Sequence, residues 1–283
     1  MDCNAARALV LSALLFGSAA PGKTVALIGA GGGLGPPLSA LLRQSSLISN
    51  LRLYDVSPVA GLACDLQHIN ATGNVTAYAA DDIGDCLVAA DVVIVAASIA
   101  HSPGMSREEH FEANAEIMLK ISEACARYCP EAMLLVCTEP TTMVPLASEV
   151  FRRANVRRAF ERILGADVDS MYGRCDRGRC DRGHIYSRAL ATARFVDRVL
   201  AGCSGEENVV VGAFVHCKRG PAPYMNQQVA LGLRGIQQAL PFGRLSAAEQ
   251  RELEELVPKL VRAAERGKEF VAPRRGGYRS AIT

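Results

Sequence analysis

The chain has 283 residues, 49% of them hydrophobic, and a formal net charge of +2. That length suits two modest domains or one large one, with apolar material enough for a sizeable core. The small net charge argues against a general polyanion binder, and no apolar run reaches the roughly 18 to 20 residues that a membrane-spanning helix needs.

Ten cysteines form no regular disulfide framework. Cys64, Cys125, Cys129 and Cys137 fall in apolar or helical contexts and read as small core residues of a protein in a reducing compartment. Positive charge is concentrated: residues 151–188 hold ten arginines against five acids.

In chain order, ALVLSALLF (8–16) with Ser18, Ala19 and Ala20 behind it resembles an h-region and cleavage site, although the only flanking charges are Arg7 and Asp2. Residues 1–22 are set apart as a candidate targeting segment. TVALIGAGGGLG (24–35) is a short apolar strand running into a glycine cluster, and PPLSALLRQSSLI continues at helical spacing through Leu38, Leu41 and Leu42. LRLYD (51–55) is a second strand ending in an acid. DVVIVAAS (91–98) is a continuous apolar run, the mark of a strand buried on both faces. EEHFEANAEIMLKISEACARYC (108–129) is an amphipathic helix and AMLLVCTEP (132–140) another buried strand. Strands alternating with helices predict right-handed crossovers and a doubly wound parallel sheet over 23–150.

Beyond it, 151–283 reads as a second, less regular α+β domain. RALATARFVDRVLAG (188–202) predicts a helix, NVVVGAFVHC (208–217) a strand, and VALGLRGIQQAL (229–240) a further strand and turn. Ser246 and Glu249 form a capping box that opens a last helix. Its apolar stripe is Leu253, Leu256, Val257, Leu260, Val261 and Ala264.

Gly29, Gly32 and Gly35 stand at G-x-x-G-x-x-G spacing between a strand and a helix. The first glycine permits a tight turn, the second lets backbone approach a pyrophosphate, and the third lets helix and strand pack closely. Asp55, 20 residues after Gly35, ends the next strand, where an acid accepts hydrogen bonds from an adenosine ribose. The competing reading is a glycine-rich turn kept for packing alone.

YGRCDRGRCDRGH (172–184) repeats GRCDR twice. Cys175, Cys180 and His184 supply three ligands at an unusual spacing for zinc, so no metal is expected. No aromatic stacking platform accompanies the arginines, so no nucleic-acid interface is expected either. The segment reads as a solvated loop.

The assembled motifs resemble malate dehydrogenase of the mitochondrial or glyoxysomal kind. The blocks that carry the resemblance are GAGGGLGPPLSALL, LYDVSPVAGLACDLQHI, DVVIVAAS, PGMSREEHFEANAEI and PLASEVF, then ALATARFVDRVL, VVVGAFVHC, PYMNQQVALGLRGI and VPKLVRAAERGKEFV. The resemblance implies a Rossmann-type domain, a truncated substrate domain, NAD as cofactor, and hydride transfer between L-malate and oxaloacetate in the tricarboxylic acid cycle. It assigns cofactor contacts to Gly29, Gly32, Gly35, Asp55, Asn114 and Thr138. In the loop HSPGMSR it assigns a catalytic arginine to Arg107 and leaves His101 where a second arginine belongs, which cannot make a bidentate fork.

The family's N-P-V-N is E-P-T-T here, so Glu139 replaces the substrate-holding asparagine and would repel a dianion. Asp169 is assigned to the family's L-D-x-x-R, with Tyr172 in place of its arginine and Arg174 two residues out of register. The G-G-H-x-G block with the catalytic histidine is not found, and the GRCDR doublet bridges the deletion. His184 lacks the buried strand that would aim it, and His68, His110 and His216 read as structural. The expectation is therefore an impaired malate dehydrogenase-like enzyme or an NAD- or partner-binding pseudoenzyme. A gene model that has lost a segment is a third reading. A dicarboxylate is the expected small molecule, a homodimer or a heterodimer with a paralogue the expected assembly, and the mitochondrion the expected location, with the cytoplasm or another organelle as alternatives.

Overall fold

The computed structural model describes residues 22–99, 102, 104–166 and 184–272. Residues 1–21 of the candidate targeting segment, His101, Asp169, Tyr172, Arg174, Cys175 and Cys180 lie outside the described residues.

One nine-stranded sheet runs through the molecule in the order β3-β2-β1-β4-β5-β6-β7-β8-β9. The first six strands are β1 (Lys23–Ile28), β2 (Ile48–Tyr54), β3 (Asn74–Tyr78), β4 (Val92–Val95), β5 (Met133–Val136) and β6 (Ile163–Gly165). All five pairings among them are parallel, and their order is that of a dinucleotide-binding domain. β7 (Val210–His216), β8 (Tyr224–Gly232) and β9 (Gly235–Ala239) extend the same sheet as an antiparallel meander, joined to β6 through Gly165 opposite Phe214. The position proposed for the domain boundary, residue 150, falls inside a helix, and β6 lies beyond it.

The helices are α1 (Gly35–Leu42), α2 (Ala60–Gln67), α3 (Ile83–Leu87), α4 (Arg107–Tyr128), α5 (Met143–Arg153), α6 (Ala159–Arg162), α7 (Ile185–Cys203) and α8 (Ala247–Val271). They cover both faces, which is why the central strands read as unbroken apolar runs. Leu27, Leu53, Val92 and Ile94 point into one core with Leu38 of α1 and Phe195 and Val199 of α7. Ile28, Val93 and Val95 point into the other with Phe111 and Met118 of α4 and Phe151 of α5. Each fully buried leucine or phenylalanine there contributes about 1.5–3 kcal/mol.

Two local features organise the helix ends. Ser106 caps α4, accepting from the Glu109 N–H while Glu109 returns a bond from the Ser106 N–H, and Ser246 and Glu249 do the same for α8, as expected from the sequence. α8 packs on α5 at Gly267, where a β-carbon would stand 2.7 Å from the Thr142 carbonyl. Its expected stripe is covered only toward the C-terminal half: Ala264 is buried, whereas Leu256 is 45% exposed. Cys64 is exposed on α2 rather than in the core, while Cys125, Cys129 and Cys137 are buried.

Candidate dinucleotide site

The carboxyl ends of β1, β4 and β5 bring three loops together. After β1 the chain turns at Gly29, whose φ is +93°, and both Gly29 and Ala30 N–H groups donate to the Tyr54 carbonyl at 2.9 and 3.1 Å. A β-carbon at Gly29 would lie 2.4 Å from the Ala97 nitrogen, so the loop is pressed against the chain leaving β4. One at Gly35 would lie 2.1 Å from the Ala30 carbonyl oxygen, which makes the close approach of α1 possible only for glycine. Gly32 is different: a β-carbon there meets nothing nearer than the Gly29 oxygen at 3.4 Å. The outer face of the loop is open at the residue whose backbone would approach a pyrophosphate, at the N-terminus of α1.

Asp55 completes the loop. Its Oδ2 accepts from the Gly31 N–H and its Oδ1 from the Ser57 N–H, each at 2.9 Å. Each oxygen keeps a further lone pair, so the carboxylate is held in place yet still able to accept from ribose hydroxyls. The three expected glycines and the acid thus form one cradle and fit a dinucleotide. Gly31, not singled out from the spacing, anchors the acid.

The segment after β4 is fixed from α4. Asn114 is fully buried; its Oδ1 accepts from the Ile99 N–H at 2.8 Å and its Nδ2 donates to the His110 carbonyl at 3.0 Å. His110 Nε2 lies 2.9 Å from the Ile99 carbonyl and 3.1 Å from Asn114 Nδ2, and its tautomer decides which bond is made. Thr138, also buried, donates from Oγ1 toward the Ala97 carbonyl at 2.8 Å, with the Val95 carbonyl at 3.2 Å. Both residues sit where cofactor contacts are expected, and both hold the backbone of that wall. Arg107 is exposed in the first turn of α4 and makes no ion pair among the described residues.

Glu139 stands just past β5. Its Oε1 accepts from Arg188 Nη2 at 2.9 Å, with the side chains 63% and 39% exposed respectively. The carboxylate expected to repel a dianion is therefore partnered by a guanidinium that spacing could not reveal, since the two residues lie 49 positions apart. The Arg188 Nε is buried without a hydrogen-bond partner. Below the pair the Cys137 thiol is pushed up to about 12 by burial, with Arg188 acting in the opposite direction. α7 reaches this site because Ile185, in its first turn, lies over the glycine loop: its Cδ1 is 3.9 Å from where a Gly33 β-carbon would be. Farther along, Asp197 accepts from Ser45 Oγ at 2.7 Å.

The histidines divide by place. His184 is the exposed N-cap of α7, its carbonyl accepting from the Arg188 N–H. His68 is exposed at the C-cap of α2. His216 stacks on Phe160 at 4.2 Å and meets the edge of Tyr224 at 5.2 Å. Burial, then Lys268 and Lys218, hold its pKa below the usual value. His216 therefore packs against Phe160 of α6 and Tyr224 of β8, not against the glycine loop. No cluster able to hold a metal ion occurs among the described residues.

Comparison with known proteins agrees with this geometry. Residues 23–161 match the family model for the lactate/malate dehydrogenase NAD-binding domain, and residues 180–271 match that for the alpha/beta C-terminal domain. The mitochondrial malate dehydrogenase of Bos taurus is 30% identical over 315 aligned positions, which cover 90% of this chain and 93% of that protein. The chain belongs to the lactate/malate dehydrogenase family. Malate dehydrogenase 2, mitochondrial, of Arabidopsis thaliana is likewise 30% identical, covering 88% of this chain and 91% of its own. Among solved structures, Cryptosporidium parvum malate dehydrogenase superposes with a TM-score of 0.71 at 18% identity, over 88% of this chain and 100% of that one. Eimeria maxima lactate dehydrogenase, solved with NADH and oxamate, gives 0.69 at 19% identity, over 94% and 100%. The first part of this family member is an NAD-binding domain, as the resemblance implied.

Proposed function

We propose that this lactate/malate dehydrogenase family member binds NAD and interconverts L-malate and oxaloacetate only weakly. The observation that carries the reading is the Glu139–Arg188 pair at the carboxyl end of β5. Where the family resemblance expects a neutral asparagine, a carboxylate occupies the position and engages the Arg188 guanidinium. A dicarboxylate entering there meets an arginine already bound to an acid, which weakens its hold and blurs its orientation. Proton transfer is the second deficit. His110 is committed to the wall of the site, and His184 sits on an exposed helix cap rather than at the end of a buried strand, so neither stands where the resemblance places a general base. The glycine cradle with Asp55 supports retained cofactor binding. Taken to its limit, the same pair favours a pseudoenzyme that binds NAD without turnover, alone or beside an active paralogous subunit. The mitochondrial relatives support a mitochondrial location and a place in dicarboxylate metabolism.

The test is calorimetric titration with NAD+ and an oxaloacetate-dependent NADH oxidation assay on the same sample. The expected result is saturable NAD+ binding, with turnover about 10²–10⁴-fold below an active relative and raised by Glu139→Asn. Turnover at the relative's level, abolished by His184→Ala, would overturn the reading and make His184 the base.

A further inference from the structure

At the end of the sheet opposite the glycine loop lies a cavity of about 440 Å³, within the range of small-molecule sites. The amino ends of β1, β4, β5 and β6 and the turn between β8 and β9 surround it. Five of its lining side chains are cations: Lys23, Arg157, Arg158, Arg162 and Arg234. Two are acids, Asp91 and Glu131.

The local ion pairs leave this excess standing. Asp91 is taken by Lys23 at 3.2 Å and by the Thr24 N–H at 2.8 Å. Arg158 pairs with Glu161, and Arg162 donates from Nη2 to Glu131. Arg157 and Arg234 are exposed and make no ion pair among the described residues.

Arg162 is the decisive residue. Its side chain is only 7% exposed, and its Nε and Nη1 are buried with no hydrogen-bond partner. A buried guanidinium with orphaned donors is costly, so a purely structural arginine is normally satisfied by carbonyls. Arg43 in this same protein is such a case: it too is buried, and it donates to the carbonyls of Leu66, Ile69, Ala71 and Thr72. Arg162 instead borders a cavity rimmed by further arginines. Its partner among the described residues, Glu131, is 73% exposed and makes no other hydrogen bond among them, so an incoming anion can take its place.

We infer that this cavity is a binding site for a small phosphate-class oxyanion, with Arg162 at its base and Arg157 and Arg234 at its mouth. Guanidinium forks suit the paired oxygens of such a group. The site is separate from the cofactor cradle and does not depend on residual malate turnover.

Calorimetric titration of the full chain with inorganic phosphate and with glucose 6-phosphate tests it, at matched ionic strength in chloride, with and without saturating NAD+. The expected result is saturable binding that NAD+ leaves unchanged. Arg157→Ala/Arg234→Ala, changed only at exposed positions, should lose about tenfold or more in affinity, and Arg162→Met should abolish binding. Equal affinity for the two probes identifies the free anion as the ligand; tighter binding of the ester identifies a phosphorylated metabolite, and either supports the site. No binding to the wild type, undiminished binding in the folded double variant, or displacement by NAD+ overturns it.

Discussion

Gly29 and Gly32 belong to one loop and differ in what a methyl group would do. At Gly29 both the φ of +93° and the Ala97 backbone 2.4 Å from an added β-carbon oppose any side chain. Gly29→Ala should therefore cost about 2–4 kcal/mol of stability, read from the urea midpoint. Gly32→Ala should change stability by no more than about 0.5 kcal/mol, since its β-carbon makes only an ordinary contact, 3.4 Å from the Gly29 oxygen, and otherwise faces outward. It should still weaken NAD+ binding by about tenfold, because that space is where pyrophosphate and backbone would meet. Equal stability losses at both positions, or unchanged affinity in Gly32→Ala, would contradict this division of labour. Both glycines were visible in the spacing. The difference between them was not, because it depends on Ala97, a residue of another strand's loop.

At the scale of elements, the end of α5 is tied to the end of α8. Glu149 of α5 accepts from Arg152 at 2.7 and 2.8 Å and from Arg153 at 2.8 Å, and Arg153 also donates to the Val271 carbonyl at 2.6 Å. The hydrogen bond from Arg152, aided by Arg153, holds the Glu149 carboxyl down to about 2, against an ordinary value of 4.5. A depressed folded-state pKa stabilises the fold above pH 4.5, and that stabilisation is lost as pH falls toward 2. The carboxylate is 9% exposed but its arginines are 56% and 36% exposed, so solvent screening limits the contribution to on the order of 1–3 kcal/mol. Glu149→Gln should flatten the loss of stability between pH 5 and 2 by that amount in urea titrations. An acid limb identical to that of the wild type would sink the assignment. Neither helix end could be paired from sequence: the arginines read as a charged helix face, and Val271 is 118 residues away from Arg153.

For the molecule as a whole, both family domains share one sheet and both cores. Leu27 and Leu53 pack in the cluster that holds Phe195 and Val211, and Ile28 and Phe111 in the one that holds Phe214 and Tyr224. Apolar contact this continuous should make the two parts unfold together. Differential scanning calorimetry is expected to give a single transition with van't Hoff and calorimetric enthalpies in agreement. Two resolved transitions, only one of them shifted by NAD+, would mean that the cofactor domain melts independently.

Several features were determined by sequence alone. The buried runs of β1, β4 and β5, the glycine turn, Asp55 at the end of β2 and the Ser246 capping box are local patterns, each set by side chains within a few residues of one another. Tertiary structure decided the rest. β3 is half exposed along NVTAY and β6 is three residues long, so neither carries an apolar run to announce it, and neighbouring strands define both. The Glu139–Arg188 pair, the carbonyl cage around Arg43 and the arginine-lined cavity under Arg162 join residues from distant parts of the chain. Periodicity states which face of an element is buried; it carries no record of what lies opposite. That is set by the order in which the strands assemble, and here it decides which arginines are satisfied and which are left facing a cavity.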